Sequence, residues 1–534
     1  MKQPCDEPVI WSRSSDSPCR AESRPWVLAA TILGTSMAFI DGTVVNVALP
    51  ALQSSFHATV VDVQWVVESY GLFLSALILV GGALGDFVGR RLMFLIGVGM
   101  FAAASAACGL SSNITELIIG RCLQGIGAAF LVPSSLAIIS AFFDEKSRGQ
   151  AIGTWSGFTA ITTAGGPVLG GWLIEHASWH WVFFINLPLA AAVMAIAVRH
   201  IPESRNPSAG LIDWPGALMV TAGLAGLVYG FIESAALGWN HVFVLGSLIA
   251  GSASLIIFAF VETRATSPMV PPALFESRNF RGANLLTLLL YAALGIFFFL
   301  FPLNLIQVQG YSATATGAAG IPMILLMFLL SRWSGGLVER YGPRTPLVVG
   351  PLIVAAGFIL FTRPSIGGSY WVTFFPAFVV LGLGMAVSVA PLTAVVMSSV
   401  EEGRAGTASG INNAVARVAG VLAIAILGIV MVSAFNHSLR SSVGSLNLPP
   451  EVLQEIQANA IKLGGLRAPA NLDAGTAAMI QTAIARAFVF GFRTIMAICA
   501  GLAVASAGAA VALIGGAKLA RPRFGSPISN TLDR

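Results

Sequence analysis

The chain has 534 residues, 56% of them hydrophobic and only 10% charged. A soluble globular chain carries about 25% charged residues, so this composition excludes a water-soluble fold. The net charge of +5 is explained by where the positive residues fall in a membrane protein, and no nucleic-acid partner is expected.

A bilayer span needs about 20 apolar residues. Runs of that kind predict helices over 26–50, 63–84, 92–110, 115–141, 150–174, 180–199, 211–232, 241–262, 282–305, 315–338, 345–362, 370–396, 405–434 and 488–515. A membrane barrel would show short alternating segments instead. The first run follows a polar tail, 1–25, and ends in Ala48-Leu49-Pro50 without a small-residue cleavage site. It reads as a retained span and not as a signal peptide. Fourteen spans put both termini on one side. Most Lys and Arg residues fall on that side, whereas the short loops opposite carry only Arg363. Positive residues mark the cytoplasmic face, so the chain is expected in the plasma membrane with both termini cytoplasmic. None of the five cysteines falls in an outer loop, and no structural disulfide is expected.

Gly82-Ala83-Leu84-Gly85-Asp86-Phe87-Val88-Gly89-Arg90-Arg91 joins spans 2 and 3. The pattern returns 253 residues later as Gly335-Gly336-Leu337-Val338-Glu339-Arg340-Tyr341-Gly342-Pro343-Arg344. The repeat pairs span 2 with span 10. It divides the chain into an N-terminal six-helix half, 26–200, and a C-terminal six-helix half, 281–515. An inserted two-helix hairpin with linkers occupies 201–280, and a tail follows at 516–534. Paired halves with a substrate site between them are a recurring membrane plan. The outer loop 435–487 is long for a connector. Pro449-Pro450 followed by Glu451 reads as a helix start, and one or two short amphipathic helices are expected there, either covering neighbouring spans or serving a ligand.

Charged residues inside spans are costly and imply partners or a task. Asp41, Glu68, Arg121 and Arg417 are such residues. At about 1.5 Å per residue all four fall in one layer of the half opposite the termini. A buried acid beside an Arg can exchange protons with conformation or form a permanent structural salt bridge; Glu68 is a candidate for the first role, and Asp41 and Arg121 are read in the same two ways. Arg417 shares a small, polar helix face with Gly410, Asn413 and Gly420, which should pack against another helix or a cavity and not against lipid. Asn46, Asn304, Gln307, Asn412 and Asn413 are candidate cavity residues. Phe297, Phe298, Phe299 and Phe301 either line a site or face lipid and neighbouring helices.

The first loop motif resembles the Gly-x-Leu-x-Asp-Arg-x-Gly-Arg-Arg signature of the major facilitator superfamily, with Phe87 in place of a basic residue and, in the second copy, Glu339 for Asp. Asp41-Gly42-Thr43-Val44-Val45-Asn46-Val47-Ala48-Leu49-Pro50 in span 1 is similar to the signature of that family's fourteen-span drug:proton antiporters. Arg121-Cys122-Leu123-Gln124-Gly125-Ile126-Gly127 in span 4 and Gly166-Pro167-Val168-Leu169-Gly170-Gly171 in span 5 resemble two further family motifs, the second named for antiporters; Thr162 replaces its early Gly. The resemblance implies an all-α polytopic fold of two six-helix halves plus two inserted helices, with span 13 meeting span 2 across the halves, so a Glu68–Arg417 contact that closes the outer side is expected when the protein faces inward. It implies export of amphipathic or cationic drugs in exchange for protons, with Asp41 as coupling acid and Arg121 as its modulator. It also implies a conformational latch at Gly82, Asp86, Gly89, Arg90 and Arg91, with Gly335, Glu339, Arg340 and Gly342 as its second copy, Asp86 facing the start of span 13 near Arg404.

The expected partners are a small-molecule substrate, protons and membrane lipid, with an efflux adaptor protein as a further option. No cofactor is expected beyond the proton gradient. No phosphate-binding loop, His-Glu-x-x-His or Gly-x-Ser-x-Gly is present, so neither ATP hydrolysis by that route nor enzymatic activity is expected. A metabolite uptake symporter or facilitator, and a transport-inactive sensor or partner subunit, are the alternative readings.

Overall fold

The computed structural model describes residues 23–143, 145–205, 213–265, 268–400, 405–444, 446, 448–469 and 472–515. Most of the N-terminal tail, the C-terminal tail and Arg404 lie outside the described residues. Fourteen long helical elements follow one another. They are α1 (Arg24–Ser55), α2 (Val60–Val88), α3 (Arg90–Gly109), α4 (Ile114–Phe142), α5 (Glu145–His176), α6 (Asn186–His200), α7 (Trp214–Leu237), α8 (Val242–Glu262), α9 (Arg278–Leu303), α10 (Ile321–Gly335), α11 (Arg344–Phe361), α12 (Phe375–Ser398), α13 (Ala405–Gly444) and α14 (Ala474–Leu513). Among the described residues, thirteen segments are long and apolar enough to cross a membrane. The fourteenth element, α5, falls short because Gly, Ser and Thr interrupt its apolar run.

Local chemistry sets the helix starts. Thr59 and Asp62 form a reciprocal capping box at α2, which satisfies backbone donors that a helix start leaves free. Asn113, Asp213, Ser277 and Asp473 each accept a backbone N–H at the starts of α4, α7, α9 and α14. Helices α13 and α14 run 10 and 14 residues farther into the 435–487 segment than the apolar runs suggest, because each helix continues past its apolar stretch. The remaining loop holds the expected short helix, Pro450–Ala458.

Two helical halves form. In the first, α4 packs on α2 and α3 at backbone distance: a Cβ on Gly81 would stand 2.0 Å from the Ala129 carbonyl oxygen, and one on Gly97 2.8 Å from that of Gly127. In the second, Gly350 of α11 and Gly384 of α12 repeat the α3–α4 approach, the Gly350 Cβ falling 3.1 Å from the Gly384 carbonyl. Small residues allow such close contact where no hydrophobic driving force separates helix from lipid. The C-terminal half also carries an aromatic core in which Phe297 and Phe301 meet Phe361 and Phe378, with ring centroids 4.8–6.0 Å apart. Phe297, Phe299 and Phe301 are therefore core residues, and only Phe298 is exposed.

Candidate functional site

The four intramembrane charges do not form one network. Asp41 of α1 and Arg121 of α4 make a fully buried ion pair through Arg121 Nη1 and Asp41 Oδ2. Gln124, one turn along α4, donates to Asp41 Oδ1 at 3.1 Å and accepts from Arg121 Nη1 at 2.8 Å. Asn186 at the start of α6 donates to Asp41 Oδ1 at 3.3 Å, and Ser105 of α3 accepts from both amides at 2.6 and 3.0 Å. Arg121 Nε donates to the Val66 carbonyl of α2 at 3.0 Å, and its guanidinium lies 4.3 Å from the centre of the Tyr70 ring. Five helices thus hold one carboxylate and one guanidinium. A buried pair is tolerable when hydrogen bonds meet its remaining donors and acceptors, as here.

Glu68 and Arg417 stand apart from this pair and from each other. Glu68 is fully buried, and neither carboxylate oxygen has a hydrogen-bond partner. Arg417 instead lies over Phe39 of α1, its Cζ 5.4 Å from the ring centre. The expected Glu68–Arg417 contact is not formed because of helix register. Gln64 donates to the Ile424 carbonyl at 3.3 Å, Gly71 faces Val421, and Gly410 faces Leu79. These contacts run antiparallel and put Arg417 roughly 5–9 Å nearer the termini than Glu68 along the helices. Depth counted separately from each helix end carries no such register.

The two halves meet on the face that holds the 448–469 loop. A Cβ on Gly171 of α5 would stand 2.3 Å from the Ala313 carbonyl, and one on Gly317 2.0 Å from that of Pro167. Both glycines belong to a backbone-to-backbone contact between α5 and the short helix Ala313–Ala318 that precedes α10. Gly166 and Gly170 instead face Thr43 and Val44 of α1. The sequence motif therefore serves two surfaces, one within its half and one across to the other. Thr162, in place of the early Gly, bonds Ser36 of α1 at 2.9 Å. Toward the face of the termini, Gly153, Gly157 and Gly165 of α5 look into open space. The halves are closed at the loop face by this contact.

Polar contacts reinforce the closed face. Gln307 donates to Gln53 of α1 at 2.7 Å, and Gln53 donates to the Lys462 carbonyl of the loop at 3.0 Å. These residues border a cavity of about 840 Å³ beneath the loop. Glu175, just past the fifth span, accepts from the Thr314 backbone at 3.1 Å and from its hydroxyl. A carboxylate at a helix start is favoured by the helix dipole. The Thr314 hydrogen bonds hold the Glu175 carboxyl below its ordinary value of 4.5. Its contribution to closure is thus fully present above that value and is lost as pH on the loop face falls below it. Glu175→Gln should remove this acid sensitivity. Energy transfer between probes on the α5 end and the Ala313–Ala318 helix, followed through an acid titration, checks it; an unchanged acid response would refute the role.

At the repeated loops, Asp86 pairs with Arg90 at 2.8 Å, within its own motif. Arg91 donates to the Val198 carbonyl at the end of α6, also at 2.8 Å. Glu203, unmarked in the sequence reading, accepts from the Arg91 and Leu92 backbone at 3.0 Å each and so caps α3. Gly82 lies against Pro133 of α4. Gly89 and Gly342 close the two copies at φ 140° and 77°, where an L side chain would be strained. The second copy differs, since α10 ends at Gly335 and the helix resumes only at Leu337. Glu339 and Arg340 are exposed there, and Arg340 lies 5.3 Å from the Tyr341 ring centre.

The other candidates divide. Asn412 donates to Asn284 and Thr287 of α9 within its own half. Asn304 is buried and accepts from Gln309 at 3.3 Å. Asn413 is exposed, and Asn46 donates weakly to the Gly42 carbonyl at 3.4 Å, its Oδ1 buried without a partner. Ser105, Tyr70 and Asn186 were not singled out from the sequence. Their one available signal was a polar residue within an apolar run.

The sequence profile of the Major Facilitator Superfamily matches residues 31–218 and 214–424. The chain belongs to that superfamily. This facilitator is 34% identical over 519 residues to the tetracenomycin C resistance and export protein of Streptomyces glaucescens, covering 95% of this chain and 94% of that protein. It is 34% identical to the multidrug resistance protein Stp of Mycobacterium tuberculosis, over 77% of this chain and 76% of that one. Among solved structures, the facilitator superposes on an inward-facing, occupied bacterial homologue of the human lysosomal transporter Spinster with a TM-score of 0.60 at 19% identity, covering 92% and 96% of the two chains. An auto-inhibited POT family peptide transporter gives 0.62 at 13% identity, over 95% and 99%. These two likenesses establish the fold. The facilitator is a multi-pass membrane transporter of small molecules.

Proposed function

We propose that this facilitator exports amphipathic, drug-like small molecules in exchange for protons, by alternating exposure of a site between its halves. The observation that carries the reading is the buried Asp41–Arg121 pair, held by five helices of one half. A relative matched over 95% of the chain is a resistance and export protein, and one matched over 77% is a multidrug resistance protein, which supports the direction. The face of the termini is cytoplasmic in this reading, and the membrane is the plasma membrane.

The chemistry follows from the contacts. A proton on Asp41 neutralises the partner of Arg121 and weakens their attraction. Arg121 also holds α2 through Val66 and Tyr70, and α2 packs on α13 of the other half. Protonation at Asp41 would thus be felt at the boundary between the halves. Glu68, on the same stretch of α2, is a second candidate proton carrier. The latch role of the repeated loops remains part of this proposal, with Asp86 exchanging Arg90 for a partner on the second half when the termini face closes. Everted membrane vesicles with an imposed proton gradient test the reading. Gradient-dependent accumulation of dyes or antibiotics is expected; accumulation that ignores the gradient would refute proton coupling.

A further inference from the structure

Three of the four intramembrane charges are fully buried, but Arg417 is only half-buried. It lies twelve residues into α13, roughly 18 Å from the helix start, well inside a hydrocarbon core about 30 Å thick. A guanidinium at that depth faces a protein interior or a water-filled space, not lipid. Its direction is given by Phe39 of the opposite half, 5.4 Å away. Ala414, three residues earlier, packs against the apolar cluster that holds Tyr70 and Leu74 of that half, and Val418 and Val421 belong with Leu72 and Ala76 in another, where a Cβ on Gly71 would stand 3.0 Å from the Val421 side chain. Arg417 therefore opens into the space between the halves.

Among the described residues no carboxylate pairs with it. Among the described residues the Lys and Arg ion pairs are Asp86–Arg90 and Asp41–Arg121. Asp41 is taken, and the oxygens of Glu68 are buried without hydrogen-bond partners. The space between the halves thus presents a positive charge stacked on an aromatic ring, with the exposed amide of Asn413 one turn away. A guanidinium offers a planar fork of N–H donors suited to an oxyanion, and it keeps that fork while stacked.

We propose that Arg417 is the docking cation for substrate, and that it selects molecules bearing an acidic aromatic group, such as a phenolate, an enolate or an aryl carboxylate, which lies beside Phe39. The inference rests on the drug-export reading and narrows its substrate class. Planar cations are the disfavoured class, because they meet a like charge in a confined space.

Binding to the purified full-length protein tests this without requiring transport. The probes are 3-hydroxy-2-naphthoate, its neutral methyl ester, and ethidium, followed by their fluorescence. Wild type is expected to bind the naphthoate at least about tenfold more tightly than the ester, the worth of one charge-assisted contact. Arg417→Gln should abolish that preference, weakening naphthoate binding far more than ester binding. Arg417→Lys should keep part of it, because the charge stays and the fork is lost. Should the Gln variant fail to fold, the Lys variant carries the test through its reduced but surviving preference. Equal weakening of acid and ester in Arg417→Gln would show a structural role and overturn the proposal. So would a wild type that prefers ethidium, distinguishes no probe, or binds none. Gradient-independent vesicle uptake combined with a clear acid preference would instead overturn the antiport reading alone.

Discussion

Arg121→Ala should cost about 3–5 kcal/mol of stability, because it leaves the Asp41 carboxylate buried with only amide donors. Gln124 and Asn186 still donate to Asp41 Oδ1, but neutral donors do not balance its charge, which keeps the cost above that of Asp41→Asn. In the Asn variant Arg121 keeps the Val66 carbonyl, Gln124 Oε1 and the Tyr70 face. Asp41→Asn should therefore fold and bind substrate, yet transport without response to a proton gradient. Combining Asp41→Asn with Arg121→Gln replaces the pair by neutral groups and should recover much of the stability without the coupling. Thermal melts in detergent and gradient-driven vesicle uptake measure the two effects separately. Wild-type gradient dependence in Asp41→Asn would remove it as the coupling acid.

Gly171→Leu should stop the loop face from closing. Its Cβ would stand 2.3 Å from a backbone carbonyl, with the reciprocal Gly317 contact at 2.0 Å to another. Backbone cannot swing aside as a side chain can, so the halves must separate. Overpacking costs about 1–3 kcal/mol, which corresponds to a roughly five- to 150-fold loss of the closed state and of transport. Gly170→Ala is the control, because it meets the Val44 side chain within one half at 2.4 Å; it should lower stability without shifting the two faces. Labelling of a cysteine placed at Ala313 reports opening. Normal transport by Gly171→Leu would refute the assignment of this contact as the gate.

The helices were legible in the sequence because apolar runs in a membrane protein are long and uninterrupted. Asp41 and Arg121 were legible as costly charges, and their shared layer followed from helix rise alone. What residue spacing could not supply was helix rotation and register. Glu68 and Arg417 share the outer half of the core, yet antiparallel packing of α2 on α13 offsets them. Phe297 and Phe301 read equally as a site lining or a core, and only the positions of Phe361 and Phe378 decide between them. Glu203 lies 112 residues from the Arg91 backbone it caps, and no local pattern announces that.

The inserted hairpin bears on how molecules get in. Leu224, Val228 and Ile232 of α7 pack into one cluster with Leu72 and Ala76 of α2 and Val421 and Ala425 of α13, and Glu233 accepts from Trp65 at 2.8 Å. Helix α7 therefore lies along the seam where the two halves touch, with α8 behind it presenting Ile249, Ile256 and Phe260 outward. On that side acyl chains have no lateral route to the crevice. Among the described residues no helix covers the opposite seam, between α5 and α10. On the proposed export reading, a lipophilic compound dissolved in the bilayer is expected to come in past α5 and α10, so that entry from the lipid phase is one-sided even though the two halves are built alike.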